Sequence, residues 1–406
     1  MSGTIAVAAG FLVVLAVVFW PALRRSQAWQ ATVTPLASII GSGFLVSAPL
    51  LAREAGNGAI IAMAALCAAA YLIGSAIRFN IAHAEHLLDK PKQAPVAASL
   101  ERISHLVLAF AYFISVAYYL VLLSTFLFKG LGIDNPTLAR VLTSAILASI
   151  GTIGFWRGLD GVQRVETVTV GLNLAVIGAL LAGLFWYNVH EAAASTWHLG
   201  EVAGLSGLEP VRVVLGLLIV VQGFETSRFM GAEFDATTRI RAMRHAQWIS
   251  TAIYLAFFAL VTILFRQHMH SGGVAAVIDM VTPVAVILPM MLTVGAIASQ
   301  FSASVADSIG AAGLIHDTTH GEVSVRIAYP LVAFVAILIV WETDVFGIIN
   351  LASRAFALFY FVQSLVALLV ARTAEADGSR GWRMTRFGAS ALLCLAVVLF
   401  AVPSGA

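Results

Sequence analysis

The chain has 406 residues, 60% hydrophobic and 11% charged, with a formal net charge of +2 at pH 7 and a mean hydropathy of +0.94. So few charges exclude an ordinary soluble domain, which needs a polar surface, and the lack of any basic run suited to nucleic acid excludes that class of partner. Cys67 and Cys394 lie in different apolar segments and read as small core residues, not as a disulfide framework.

Spanning a bilayer takes about 20 apolar residues per helix, and twelve segments reach or approach that length. Long continuous runs predict helices; barrel strands would alternate over short stretches. The first segment, 4–20, lacks a charged start and a clear cleavage site, and Arg24 and Arg25 follow it. It reads as a retained helix with its N-terminus outside. The second, 33–53, carries Gly41, Ser42 and Gly43 in a row, with Pro49 beyond. The third, 57–80, runs into "IAHAEHLL", where His83 and His86 read as interfacial; two ligands without a third are weak evidence for a metal. Segments 103–128, 137–156 and 165–188 follow, then a loop where Trp186, Tyr187 and Trp197 read as an interfacial belt. The seventh, 210–231, is interrupted by Gln222-Gly223-Phe224-Glu225, and Arg239 to Arg244 behind it read as topology and lipid-headgroup contact. The last five are 246–266, 281–315, 325–341, 345–371 and 384–402.

With the N-terminus outside, the inner loops hold 17 of the 23 Lys and Arg and the outer ends hold 5; Arg354 lies within a segment. That asymmetry supports the count of twelve and places both termini outside.

A lone glycine-rich stretch can mean only close helix packing. A carboxylate in an apolar segment is costly and marks function, and Glu225 sits in a second interruption five helices after the first. Residues 1–32 then form an extra N-terminal helix and linker, 33–188 a first five-helix repeat, 210–371 a second, and 372–406 a C-terminal helix. An odd number of helices per set inverts the second set, the pattern of an inverted repeat with discontinuous helices at its centre. Freed N–H groups at such breaks hold anions and freed carbonyls hold cations.

"IIGSGFLVSAPLLAREAG", Ile39 to Gly56, resembles the glycine-rich first core helix of the amino acid–polyamine–organocation (APC) superfamily. "QGFETSRFMGAEFDATTRIRAMRHA", Gln222 to Ala246, resembles its sixth core helix and following loop, and "SASVADSIGAAGLIHD", Ser302 to Asp317, the end of its eighth. The resemblance covers about residues 33–371 and implies a LeuT-type five-plus-five inverted repeat that transports by alternating access. It implies that Gly41, Ser42 and Gly43 offer amides to a substrate carboxylate. Gln222, Gly223 and Phe224 would offer carbonyls to its ammonium, with Phe224 also an aromatic lid. Glu225 would tie the broken helices together and take part in gating. The chain departs from the family pattern in its extra first helix, its single helix after the core, Ile309 at the eighth-helix arginine position, and Asn173 where some proton-coupled relatives carry a lysine.

Other polar residues have two readings. Asp307 is a proton or cation site, or a carboxylate wetted or paired near the inner mouth. Arg354 is an outer-gate or substrate contact, or packs on backbone carbonyls near the interface. Ser299 and Ser302 share a helical face and could complete a sodium site with first-helix carbonyls, as the resemblance implies, or be backbone-bonded serines. Coupling then rests on sodium there or on a proton at Asp307 or Glu225, and the reading leans to the proton because Ala298 stands where many sodium sites place a second hydroxyl. Nothing resembles a nucleotide-binding loop, so ion gradients must drive transport. The expected protein is therefore an all-α polytopic transporter of the inner membrane, with no cofactor and no enzymatic constellation. It moves a small zwitterionic or cationic metabolite, an amino acid first among them. An inorganic ion transporter or channel on the same scaffold is the alternative.

Overall fold

The computed structural model describes residues 2–85, 95–159, 163–200, 202, 204, 207–265, 273–373 and 380–404. His86, Lys90, Lys92 and Arg266, which entered the charge argument or the histidine reading, lie outside them, as does the side chain of Ser42. Ten helices among the described residues are long and apolar enough to cross a membrane, and Gly3–Val18 is a shorter apolar one.

In chain order, α1 (Ser2–Val18) leads through a short α2 (Pro21–Arg24) into α3 (Gln27–Ala55) and α4 (Ala59–Phe79), whose last turn continues as a π-helical Asn80–Ala84. Then come α5 (Pro95–Gly130), α6 (Pro136–Arg157) and α7 (Gln163–Ala193). The seventh expected segment is α8 (Glu209–Leu215), a 3₁₀ turn Leu218–Val221 and α9 (Thr226–Phe229), with irregular backbone between. After it stand α10 (Ala236–Val261), the short α11 (Val277–Met280), α12 (Leu288–Thr318), α13 (Val325–Glu342), α14 (Val345–Thr373) and α15 (Arg380–Phe400). The expected ninth segment began at 281, but α12 starts at Leu288, with Pro289 in its first turn.

Caps fix several starts. Asn135 accepts from the Leu138 N–H at 3.0 Å ahead of Pro136, a pairing suited to a first turn. Asp235 accepts from the Thr238 N–H at 2.7 Å to open α10; the bonds from Thr238, side chain then backbone, hold its carboxyl below the usual range.

Contacts between chain ends fix the alternation. Ser404 donates to Glu54 at 2.6 Å, and Arg212 donates to the Phe400 carbonyl at 2.9 Å. The end of α3, the start of α8 and the end of α15 therefore share one end of the bundle. A side chain at Gly3 would lie 2.6 Å from the Val284 carbonyl, on the chain between α11 and α12. The opposite, basic end gathers Arg78, Arg228, Arg239 and Arg244.

One expected break is absent. Helix α3 runs unbroken through Gly41, Ser42 and Gly43, so its amides are helix-bonded. The small residues serve close approach: a Cβ on Gly43 would collide with the Val220 backbone. Packing at the crossing, not unwinding, explains the glycines here.

Candidate functional site

The seventh segment cannot stay helical because Gly223 adopts φ +111°, a left-handed value open to glycine. A Cβ there would also fall 2.6 Å from the Cβ of Ser38, so α3 and the irregular segment touch backbone to backbone. Unwinding frees peptide groups that must find partners in an apolar interior, and side chains supply them. Ser353 on α14 accepts from the Ile219 N–H at 2.9 Å and donates to the Gly216 carbonyl at 2.6 Å. The Tyr254 hydroxyl on α10 lies between the carbonyls of Ile39, at 3.1 Å, and Val220, and so ties α3 to the break.

Glu225 is buried. Its Oε2 accepts from the Gly223 N–H at 3.0 Å and from the Tyr360 hydroxyl at 2.6 Å. It therefore fastens the break to itself and to α14; the tie to α3, expected of Glu225, belongs to Tyr254. Phe224 is fully buried and stacks on Tyr360, with ring centroids 5.1 Å apart at 18°. Gln222 donates to the Tyr119 hydroxyl at 3.4 Å, and its amide oxygen is buried without a hydrogen-bond partner.

Tyr119 also lines a cavity of about 40 Å³ between α3, α5, α7 and α12. Asn173, Ser299, Ser302 and Asp307 meet there. Asp307 accepts from Ser115 of α5. Ser299 donates to the Gly41 carbonyl at 2.8 Å, and Asn173 stands 3.5 Å from Ser299. Among the described residues, no Lys, Arg or His lines the space. Its volume takes a few waters or one small cation, not an amino acid. Val170 lines this cavity and also a larger one of about 640 Å³ toward the basic end, walled by Phe19, Arg24, Trp29 and the 229–234 stretch.

Arg354 departs from the gating expectation. It is exposed and donates to the Val398 carbonyl at 2.8 Å near the end of α15, a reading already open from sequence. Carbonyls at a helix C-terminus attract a cation.

A second polar cluster closes the basic end beneath α9. Arg228 pairs with Glu101 at 2.8 Å and donates to the Gln363 amide oxygen. Gln363 in turn donates to Glu101 at 3.0 Å and Ser104 at 2.8 Å, and receives Asn80 at 2.8 Å. Arg239 is buried rather than facing headgroups, and grips Glu85 through both its terminal nitrogens at 2.9 and 2.7 Å. The sequence reading counted Arg228 and Arg239 as loop charges and missed Glu101, Gln363, Tyr254 and Tyr360. All but one of the pairings, Tyr254 with Val220, join residues more than 100 positions apart, so spacing carries no signal of them. A buried polar residue on an apolar helix is the one available hint.

A family model described as an APC superfamily transporter matches residues 21–401. A relative from Aquifex aeolicus (strain VF5), named only as an uncharacterized protein, is 42% identical over 364 residues, 89% of this chain and 88% of that one. Three solved structures share the fold at low identity. A nucleobase-cation-symport-1 family transporter, closed with bromovinylhydantoin bound, has a TM-score of 0.51 at 14% identity and covers 92% of this chain and 90% of its own. An Eremococcus coleocola manganese transporter has a TM-score of 0.55 at 13% identity, over 94% and 87%. A Na⁺-coupled sialic acid symporter in a substrate-bound outward-open state has a TM-score of 0.50 at 13% identity, over 99% and 98%.

Proposed function

The chain belongs to the APC superfamily of transporters, and from that premise we propose that it moves a small zwitterionic or cationic metabolite, an amino acid first among them, with protons as the coupling ion. Secondary transport itself follows from the family; substrate and ion are our reading. The observation that carries it is the sign of the groups at the crossing. Glu225 and Asp307 supply two carboxylates, and among the described residues no basic side chain lines the cavity. The partnerless Gln222 oxygen adds an acceptor. A buried acceptor left unpaired costs about 1–3 kcal/mol, and an incoming ammonium would repay it.

The roles expected of Gly41, Ser42 and Gly43 toward a substrate carboxylate belong to another conformation. Their amides are helix-bonded here, and the 40 Å³ cavity is too small for a metabolite. Binding would require α3 to loosen at its glycines and Phe224 to swing from Tyr360. Alternating access by rocking of the two five-helix sets, 33–188 and 210–371, would supply that change.

A sodium-coupled reading has its own support. The Gly41 carbonyl and Ser299 hydroxyl meet beside a cavity of ion size, and a hard cation favours oxygen ligands. The two readings part in proteoliposomes under separately imposed pH and sodium gradients, with substrate first found by thermal-shift screening against amino acids, amines and inorganic ions. Uptake driven by the pH gradient alone supports the proton. Uptake driven by sodium alone overturns it, and stabilisation by inorganic ions alone favours the ion-transporter alternative.

A further inference from the structure

Arg228 and Glu101 are both buried, and their ion pair stands at 2.8 Å. It joins α9, a helix of four residues, to the start of α5, and so links the second five-helix set to the first. Two opposite charges in a dry interior are costly to part unless water or another partner replaces the one that leaves. Such a pair has two states, closed and dry or open and hydrated.

The neighbours divide into those that stay with Arg228 and those that stay with Glu101. Irregular backbone precedes α9 and a turn at 231–233 follows it, so no regular helix holds either end. Arg239 of α10 donates to the Arg228 carbonyl at 2.8 Å while gripping Glu85, which ties α9 to α10. On the other side, Gln363 of α14 donates to Glu101 at 3.0 Å, and the Nε2 of His105 stands 3.2 Å from the same carboxylate. If Arg228 withdrew, Glu101 would keep both, and the Gln363 amide oxygen would keep Asn80, which donates to it at 2.8 Å. Departure of the guanidinium therefore leaves no acceptor orphaned, which removes most of what makes a buried pair hard to break. Gln363 is the positioning residue of this arrangement.

Arg228 directly precedes Phe229 and Met230, which wall the 640 Å³ cavity. The Phe229 ring lies 6.0 Å from that of His105, so the wall rests on the same turn of α5 that carries the pair. Val170 lines this cavity and also the small chamber of Asp307 and Asn173. The placement of the 229–234 stretch therefore governs how widely the chamber communicates with the basic end.

We propose that the Arg228–Glu101 pair is a latch on the passage between the small chamber and the basic end. Closed, it holds the 229–234 stretch on α5 and narrows the passage. Open, it lets that stretch swing away with α10 and admits water to the chamber. The latch requires only that the carrier alternates, whichever substrate and ion it moves, so its failure would leave the proposed substrate and coupling ion untouched.

The test uses the full chain in membrane vesicles, with Ala303→Cys in the wall of the small chamber as the reporter. A membrane-impermeant maleimide is applied from either face. The buried native Cys67 and Cys394 are internal controls, read separately by mass spectrometry of their peptides. Arg228→Gln/Glu101→Gln removes both charges together and leaves neither alone in the interior. It is expected to speed labelling at position 303 from the face of the basic end by about tenfold or more, the factor for one charged hydrogen bond lost from the closed state only. Labelling from the opposite face should slow, and Cys67 and Cys394 should stay slow from both. If the double variant does not fold, Arg228→Lys carries the same readout; it keeps the charge and loses the planar fork, with about a threefold rise expected. Unchanged labelling at position 303, with or without a lowered melting temperature, overturns the proposal. So does an equal rise from both faces, or a rise at Cys67 and Cys394 alongside position 303, either of which makes the pair a brace of the whole bundle.

Discussion

The hydroxyl of Tyr360 donates to Oε2 of Glu225 at 2.6 Å, joining the middle of α14 to the unwound segment that crosses α3. Neither side chain reaches solvent; their exposures are 0% and 1%. The same carboxylate oxygen caps the Gly223 N–H, so one acidic group holds the break in shape and fastens it to a neighbouring helix.

Glu225→Gln preserves volume and removes the charge. A hydrogen bond to a charged group is worth about 1.5–3 kcal/mol, so uptake should fall roughly ten- to a hundredfold while the protein stays folded in the membrane. Turnover measured in proteoliposomes checks this, and an unchanged rate would reduce the carboxylate to a structural role. Tyr360→Phe should lower stability by about 1–3 kcal/mol, read as a lowered melting temperature.

Gly43→Leu places a side chain where Val220 already lies. Overpacking costs about 1–3 kcal/mol, and here it also pries α3 from the break. Transport should be lost while folded protein remains in the membrane, and Gly43→Ala should show the same loss in milder form. Wild-type uptake in Gly43→Leu would mean that this contact is dispensable.

Arg354→Gln should leave uptake within about twofold of wild type. The guanidinium is exposed and serves the Val398 carbonyl, an exchange with solvent worth about 1 kcal/mol or less. Loss of transport with normal stability would restore a gating role to Arg354.

Asp307→Asn removes the one carboxylate that lines the small cavity among the described residues. Under the proton reading, uptake driven by a pH gradient should disappear while substrate exchange between equally buffered compartments persists. Ser299→Ala should leave pH-driven uptake intact. The reverse pattern, with sodium-driven uptake lost in Ser299→Ala, would assign coupling to the Gly41 and Ser299 oxygens.

Tags at the two termini should be reachable from the same face of the membrane, and from outside by the asymmetry of positive charge. Ser404 bonded to Glu54 and Gly3 against Val284 place both termini at one end of the bundle. Accessibility labelling of intact cells checks the side. A C-terminus reachable only from the cytoplasm would overturn the alternation.

Chain composition alone determined that this protein lives in lipid, that its elements are helices, and roughly where each crosses. Apolar run length and the alternation of positive charge are local or additive properties, and bilayer thickness reads them directly. The interruption at Gln222 to Glu225 was legible for the same reason, since glycine beside a carboxylate breaks an apolar helix wherever it stands. Gly41 to Gly43 looked equivalent, but glycine serves unwinding and close packing alike. Only the position of Val220 against Gly43 decided for packing in this conformation. Tertiary structure also decided which polar groups meet: Asp307 with Ser115, Arg228 with Glu101 and Gln363, four arginines around one cavity. Each pairing depends on helix rotation and on neighbours far along the chain. A charge on a helix end looks the same in sequence whether it is left exposed, as Arg241 is, or is turned inward onto Glu85, as Arg239 is.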